Sequence, residues 1–173
     1  MLAFPTFGPE RIESLSHDIW GNFGSVLAEY PHLHKLADSH IPSAIELEID
    51  KETRPIFAGR KPAIYVTAHL GNWELVASFI AGTGVPLSAV YAPQNNPVLD
   101  RMIQTKRDST GCRFIEKENA LRLLVGEIRS GRSIGMLPDQ RLDSGELLPF
   151  FGRNTPTPIS PAWLSIKTKC PVY

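Results

Sequence analysis

Short apolar runs rich in β-branched and aromatic residues alternate with helical segments of ten or so residues. Together with the small number of long loops between them, they predict an α/β protein: a mostly parallel sheet flanked by helices and preceded by an amphipathic N-terminal helix. Alternating βα units also imply right-handed crossovers, so the carboxyl ends of the strands should face one common cleft.

Taken in order, the first patterned segment is Glu10 to Tyr30, with Ile12, Leu15, Ile19, Phe23, Val26, Leu27 and Tyr30 at helical spacing and Pro31 ending it. Two interior glycines, Gly21 and Gly24, weaken that helix and suggest close packing against a neighbour. Its apolar face, with Trp20 close by, is expected to pack on the core; lying on a membrane is the alternative. His32, His34 and His40 follow, but no cysteine or carboxylate stands at a spacing that would make them metal ligands. Ile45 to Asp50 alternates strictly and reads as a half-exposed edge strand. Residues 1–50 are thus expected to form a helical segment with an edge strand, and 51–173 the α/β core.

In the core, Ala63 to Val66 is the first strand and Leu75 to Ala81 a helix. Leu87 to Tyr91 is the next strand. Asn96-Pro97 then offers an N-cap and first-turn proline for a helix from about Val98 to Asp108. Arg113 to Ile115 is a short strand. It leads to a helix from about Asn119 to Ser130, with its apolar stripe on Leu121, Leu124, Val125 and Ile128 and its end at Gly131. Ser133 to Leu137 follows as a strand. Ser160-Pro161 opens a last helix, and Cys170-Pro171-Val172-Tyr173 reads as the start of a further strand, so truncation at the C-terminus is expected.

Length and composition fit one globular domain of 173 residues, with 42% hydrophobic and 21% charged residues. Eighteen basic residues balance eighteen acidic ones, which leaves no electrostatic footprint for nucleic acid. Cys112 and Cys170 match no metal spacing and read as free thiols in a reducing compartment. No apolar run reaches transmembrane length, and no signal peptide is visible.

The chemistry centres on Thr67-Ala68-His69-Leu70-Gly71-Asn72-Trp73-Glu74, where a strand ends and a helix begins. Histidine is suited to take a proton near neutral pH, and a carboxylate on its far nitrogen would fix the tautomer. Glu74 is the candidate carboxylate. On one continuous helix the two side chains would diverge by about 140°. They can meet only if His69 lies in the preceding turn, which Gly71 and Asn72 would permit and cap. A surface pair or a structural hydrogen bond is the competing reading. The cleft should also receive Tyr91 to Asn96 after the second strand and Pro138-Asp139-Gln140-Arg141 after the fourth. No serine or cysteine stands in an activated-nucleophile context.

With these motifs in place, the chain resembles the lipid A biosynthesis acyltransferases of the lysophospholipid acyltransferase superfamily, and so implies a glycerolipid acyltransferase-like fold. The likeness rests on His69-Leu70-Gly71-Asn72-Trp73-Glu74, similar to that family's HX4(D/E) block, and on Tyr91-Ala92-Pro93-Gln94-Asn95-Asn96-Pro97. Arg107, Leu137-Pro138-Asp139-Gln140 and Pro149-Phe150-Phe151-Gly152 complete it.

The resemblance implies transfer of a fatty acyl group from acyl carrier protein or coenzyme A to a hydroxyl of a lipid A precursor, without an acyl-enzyme. It needs no further cofactor. By analogy His69 is the general base, oriented by Glu74; the oxyanion would need donors, for which the N–H groups of Gly71 and Asn72 near the helix start are candidates. Arg107 would bind phosphate on the acceptor head, or else be a helix-end cation. Asp139 would contact the acceptor, beside Gln140 and Tyr91, or else be a turn aspartate. Arg141 and Arg153 are further phosphate candidates, and Trp73 is expected to pack the helix. The implied location is the cytoplasmic face of the bacterial inner membrane, although the anchoring helix usual in the family is not visible here. Acylation of a lysophospholipid or another glycolipid is the alternative, as is a fragment that only binds lipid or acyl carrier protein. A metallohydrolase is disfavoured because His69 and Glu74 lack a third ligand.

Overall fold

The computed structural model describes residues 3–33, 48–51, 54, 61–108, 110–118 and 120–173. Its centre is a four-stranded parallel sheet of β1 (Ile64–Val66), β2 (Leu87–Tyr91), β3 (Arg113–Glu116) and β4 (Ser133–Met136), in the order β1-β4-β2-β3. The chain's last residues extend it: Ile64 N–H donates to Pro171 O and Tyr173 N–H to Ile64 O, so Val172 bridges β1 in parallel, as expected for the start of a strand.

Helices cover both faces because each strand alternates its side chains between them. On one face Ile64, Ile115, Ile134 and Met136 pack with Leu124 and Ile128 of α4 (Ala120–Arg129) and Leu164 of α5 (Ser160–Thr168). On the other, Ala63, Tyr65, Leu87 and Ala89 pack with Ile80 of α2 (Trp73–Gly82). Each fully buried leucine or isoleucine contributes about 1.5–3 kcal/mol relative to exposure, so these two layers dominate the stability of the sheet. Asn96 caps α3 (Pro97–Asp108), its side chain accepting from Val98 and Leu99 N–H. At the amino end of the sheet, Ser88 donates to Glu127 at 2.6 Å and accepts from Arg132 at 2.8 Å, which satisfies a buried hydroxyl and serves packing.

Three expectations need correction. The helix α1 (Pro9–Glu29) forms, but of its apolar stripe only Val26 is buried, while Ile19, Trp20, Phe23 and Leu27 are exposed. Only its C-terminal turns rest on the core. A Cβ at Gly21 or Gly24 would meet nothing within 4 Å, so those glycines serve no close packing. Glu48 to Asp50 carry no strand, and Ile45 to Leu47, like His34 and His40, lie outside the described residues.

A further element was not anticipated. Strands β5 (Glu146–Phe150) and β6 (Arg153–Thr157) pair antiparallel as a separate hairpin through the turn Phe151-Gly152, both residues at positive φ (49° and 71°).

Candidate active site

His69 lies in the turn between β1 and α2, as the strand-to-helix context predicts. Gly71 makes that turn with φ +52°, a conformation glycine adopts without penalty. The Asn72 side chain then caps α2 by accepting from Glu74 N–H at 3.2 Å, and its Nδ2 donates to Glu29 Oε2 at 2.6 Å, which ties the end of α1 to the start of α2. The Trp73 ring stacks on Phe23 of α1 and meets the imidazole edge-on, 4.9 Å between centroids.

The carboxylate on the imidazole is Asp139, not Glu74. Asp139 Oδ1 lies 2.8 Å from His69 Nδ1, and Oδ2 accepts from the His69 backbone N–H at 2.9 Å. The reason is topological. With β4 hydrogen-bonded directly to β1, the loops leaving their carboxyl ends are neighbours, and residues 70 positions apart meet. Burial works to raise the Asp139 carboxyl, but the two contacts from His69 outweigh it and hold the group below the usual carboxylate range. An ionised Asp139 only accepts, so Nδ1 carries a proton, and in the neutral imidazole Nε2 then holds the lone pair.

Glu74, expected on the imidazole, points instead into the protein. Only 7% of its side chain is exposed, against 12% for Arg107, whose Nη2 and Nε donate to Oε1 and Oε2 at 2.6 and 3.1 Å. The guanidinium carbon lies 4.8 Å from the ring centre of Phe114 and 5.5 Å from that of Tyr91. Burial opposes the Arg107 charge, and Glu74 more than compensates. The Tyr30 hydroxyl completes the cluster, pushed well above its usual range by burial and then by Glu74. Arg107 is therefore committed to joining α2 to α3. Tyr91, whose hydroxyl reaches Glu116 at 3.2 Å, belongs to the wall of this cluster, and Gln140 is exposed beside Asp139.

The N–H groups of Gly71 and Asn72 have no backbone acceptor among the described residues. An apolar cavity of about 290 Å³ runs under α2, lined by Val66, Trp73, Ala77, Ala89, Gly135 and Met136. Among the described residues no three His, Cys, Asp or Glu side chains are grouped as a metal site. Asp139 as the histidine's partner and the Glu29 and Tyr30 contacts were missed from sequence. The one available signal was that both loops end strands of one sheet.

The family model of bacterial lipid A biosynthesis acyltransferases matches residues 1–173. The chain is 26% identical over 153 residues to the lipid A biosynthesis palmitoleoyltransferase of Escherichia coli (strain K12), covering 87% of this chain and 49% of that protein. The same figures hold for a lipid A biosynthesis acyltransferase of Shigella flexneri. A second acyltransferase of Shigella flexneri is 28% identical over 94 residues, 54% of this chain and 29% of that protein. The chain spans about half the length of the curated relatives it matches. With the site on the same motifs that carried the sequence resemblance, this chain belongs to the bacterial lipid A biosynthesis acyltransferase family.

Proposed function

We propose that the full-length protein transfers a fatty acyl group from an acyl carrier protein or coenzyme A thioester to a hydroxyl of a lipid A precursor, with His69 as general base and Asp139 as the residue that orients it. The observation that carries this reading is the double contact of Asp139 with His69, which leaves Nε2 as a proton acceptor. The acceptor hydroxyl loses its proton to Nε2 as its oxygen attacks the thioester carbonyl. The Gly71 and Asn72 N–H groups, without a backbone acceptor among the described residues, would donate to the carbonyl oxygen as it gains charge. The tetrahedral adduct collapses by breaking the carbon–sulfur bond, and the imidazolium returns its proton to the departing thiolate. Asp139 stays ionised and offsets the imidazolium charge.

The apolar cavity under α2 offers room for part of the acyl chain, and Trp73, which lines it, also meets the His69 ring. The exposed stripe of Ile19, Trp20, Phe23 and Leu27 on α1 suits a membrane surface, where such an acceptor resides. No helix among the described residues is long and apolar enough to cross a membrane. Glu74 and Arg107 act here as a brace that sets the turn carrying His69, and as neither base nor phosphate ligand.

The test is acyl transfer by membranes carrying the full-length protein, with thioester donors and an under-acylated lipid A precursor, read by mass. His69→Ala should lower transfer by about 10²–10⁴-fold while acceptor binding persists, and Asp139→Asn should lower the rate at least tenfold. Substantial transfer by His69→Ala would refute the assignment. Product from a lysophospholipid alone would keep the site and replace the acceptor.

A further inference from the structure

With Arg107 buried against Glu74, the site needs another cation if its acceptor carries phosphate. We infer that the cleft between the β5–β6 hairpin and the loop after Asp139 is that phosphate-headgroup site, held by Arg141 and Arg153; this rests on the proposed acyl transfer to a phosphorylated glycolipid.

Four observations converge on it. First, the cleft is large enough for a sugar phosphate, about 630 Å³, and both arginines line it together with Asn154 and Thr155. Second, its cations are available. Arg153 makes no ion pair among the described residues, and Arg141 has only Asp143, a surface pair with side chains 70% and 85% exposed that a phosphate would readily displace. Guanidinium groups match phosphate oxygens with paired N–H donors, and do so from exposed positions without prior desolvation.

Third, the cleft adjoins the chemistry. Arg141 follows Asp139 by two residues, at most about 7 Å of extended chain, and Asp139 holds His69. A phosphate gripped there places the rest of the same headgroup within reach of Nε2. Fourth, an apolar surface flanks the cations. Phe150 and Phe151 stand exposed at the hairpin tip, 4.8 Å apart, and Phe4 meets Phe151 at 5.2 Å and Phe7 at 4.9 Å. Phe151 sits at φ +49°, where a bulky side chain is uncommon, yet the turn keeps an aromatic residue there. Arginines beside exposed aromatic rings suit a phosphorylated head bearing acyl chains better than a free anion.

The experiment uses the full-length protein in detergent micelles, with a phosphorylated lipid A precursor and the same acceptor stripped of phosphate. Wild type should prefer the phosphorylated acceptor in kcat/KM. The Arg141→Ala/Arg153→Ala double variant should lose at least tenfold of that preference, through KM more than kcat, and the corresponding lysine variants should recover part of it. In a His69→Ala background without donor, so that no transfer occurs, the arginine replacements should weaken binding of the phosphorylated acceptor by a similar factor. That arm reads the cleft even if no transfer is found, so failure of the acyl-transfer reading is separable from failure of this one. An undiminished preference together with undiminished binding overturns the inference. So does a variant that only loses sedimentation with vesicles of anionic phospholipid, since the cleft would then hold bulk membrane lipid rather than the acceptor.

Discussion

Removing the charge of Glu74 separates the two possible histidine partners by a measurement of stability instead of rate. Glu74→Gln keeps the side chain's shape and leaves the Arg107 guanidinium buried, 12% exposed, without its carboxylate. Breaking a buried pair in this way costs about 3–5 kcal/mol, because the surviving charge loses its partner and does not regain water. For a folding unit of about 150–250 residues that is a melting temperature lower by roughly 6–20 °C. Replacing both members, as Glu74→Gln/Arg107→Met, should cost less than the sum of the single changes by at least about 1 kcal/mol, the mark of direct coupling. Arg107→Lys should not rescue, since an ammonium cannot make the bidentate contact or stack between Phe114 and Tyr91. Asp139→Asn is the contrast: with His69 and Asp139 at 30% and 34% exposure, its melting temperature should move by less than a few degrees. The assay is thermal unfolding of the full-length protein followed by circular dichroism. A Glu74→Gln variant that melts like wild type yet has lost transfer would refute the brace and return Glu74 to the imidazole.

Three other outcomes follow from the same geometry. Gly71→Ala should cost about 1–2 kcal/mol in chemical denaturation, from backbone strain alone, since a Cβ there has nothing within 4 Å to strike. Asn72→Ala removes both the cap of α2 and the bond to Glu29, and should cost about 0.5–2 kcal/mol while making α1 a faster target for limited proteolysis. Burial pushes the Cys112 thiol up to about 11. At pH 8 only about one molecule in 10³ then holds a thiolate, so alkylation should be slow in the folded protein and accelerate about tenfold per pH unit toward 11.

The alternation of short strands with ten-residue helices was legible because burial on both faces of a parallel sheet demands it. Boundaries from β1 to α4 came within a few residues for that reason. The turn at Gly71-Asn72 was legible for a local one: few other residues take that φ and cap that helix. What escaped were consequences of arrangement. Nothing local in Ser133 to Leu137 says that this strand inserts between β1 and β2, and without that order Asp139 is one loop aspartate among several. The HX4E spacing drew attention to the nearest carboxylate in sequence, whereas Glu74, on the first turn of α2, is carried round to face α3. For α1 the periodicity was real, but it indicates only that one face is apolar, not which surroundings receive it. The hairpin was hidden by Pro149 and Pro156, which argue against central strands and are tolerated here because two exposed strands pair only with each other.

The position of β4 also bears on how the protein is made. It is the last strand of the four to leave the ribosome, yet it lies between β1 and β2, so β1 has no partner among the four and β2 only β3 until some 70 residues after β1 has emerged. Until then the nascent chain offers unpaired strand edges, the condition under which slow parallel sheets associate wrongly. Because Asp139 arrives on the loop that leaves β4, the imidazole is aligned only when that insertion is complete. A chain stalled or misfolded before this step therefore holds its histidine without the Asp139 contacts.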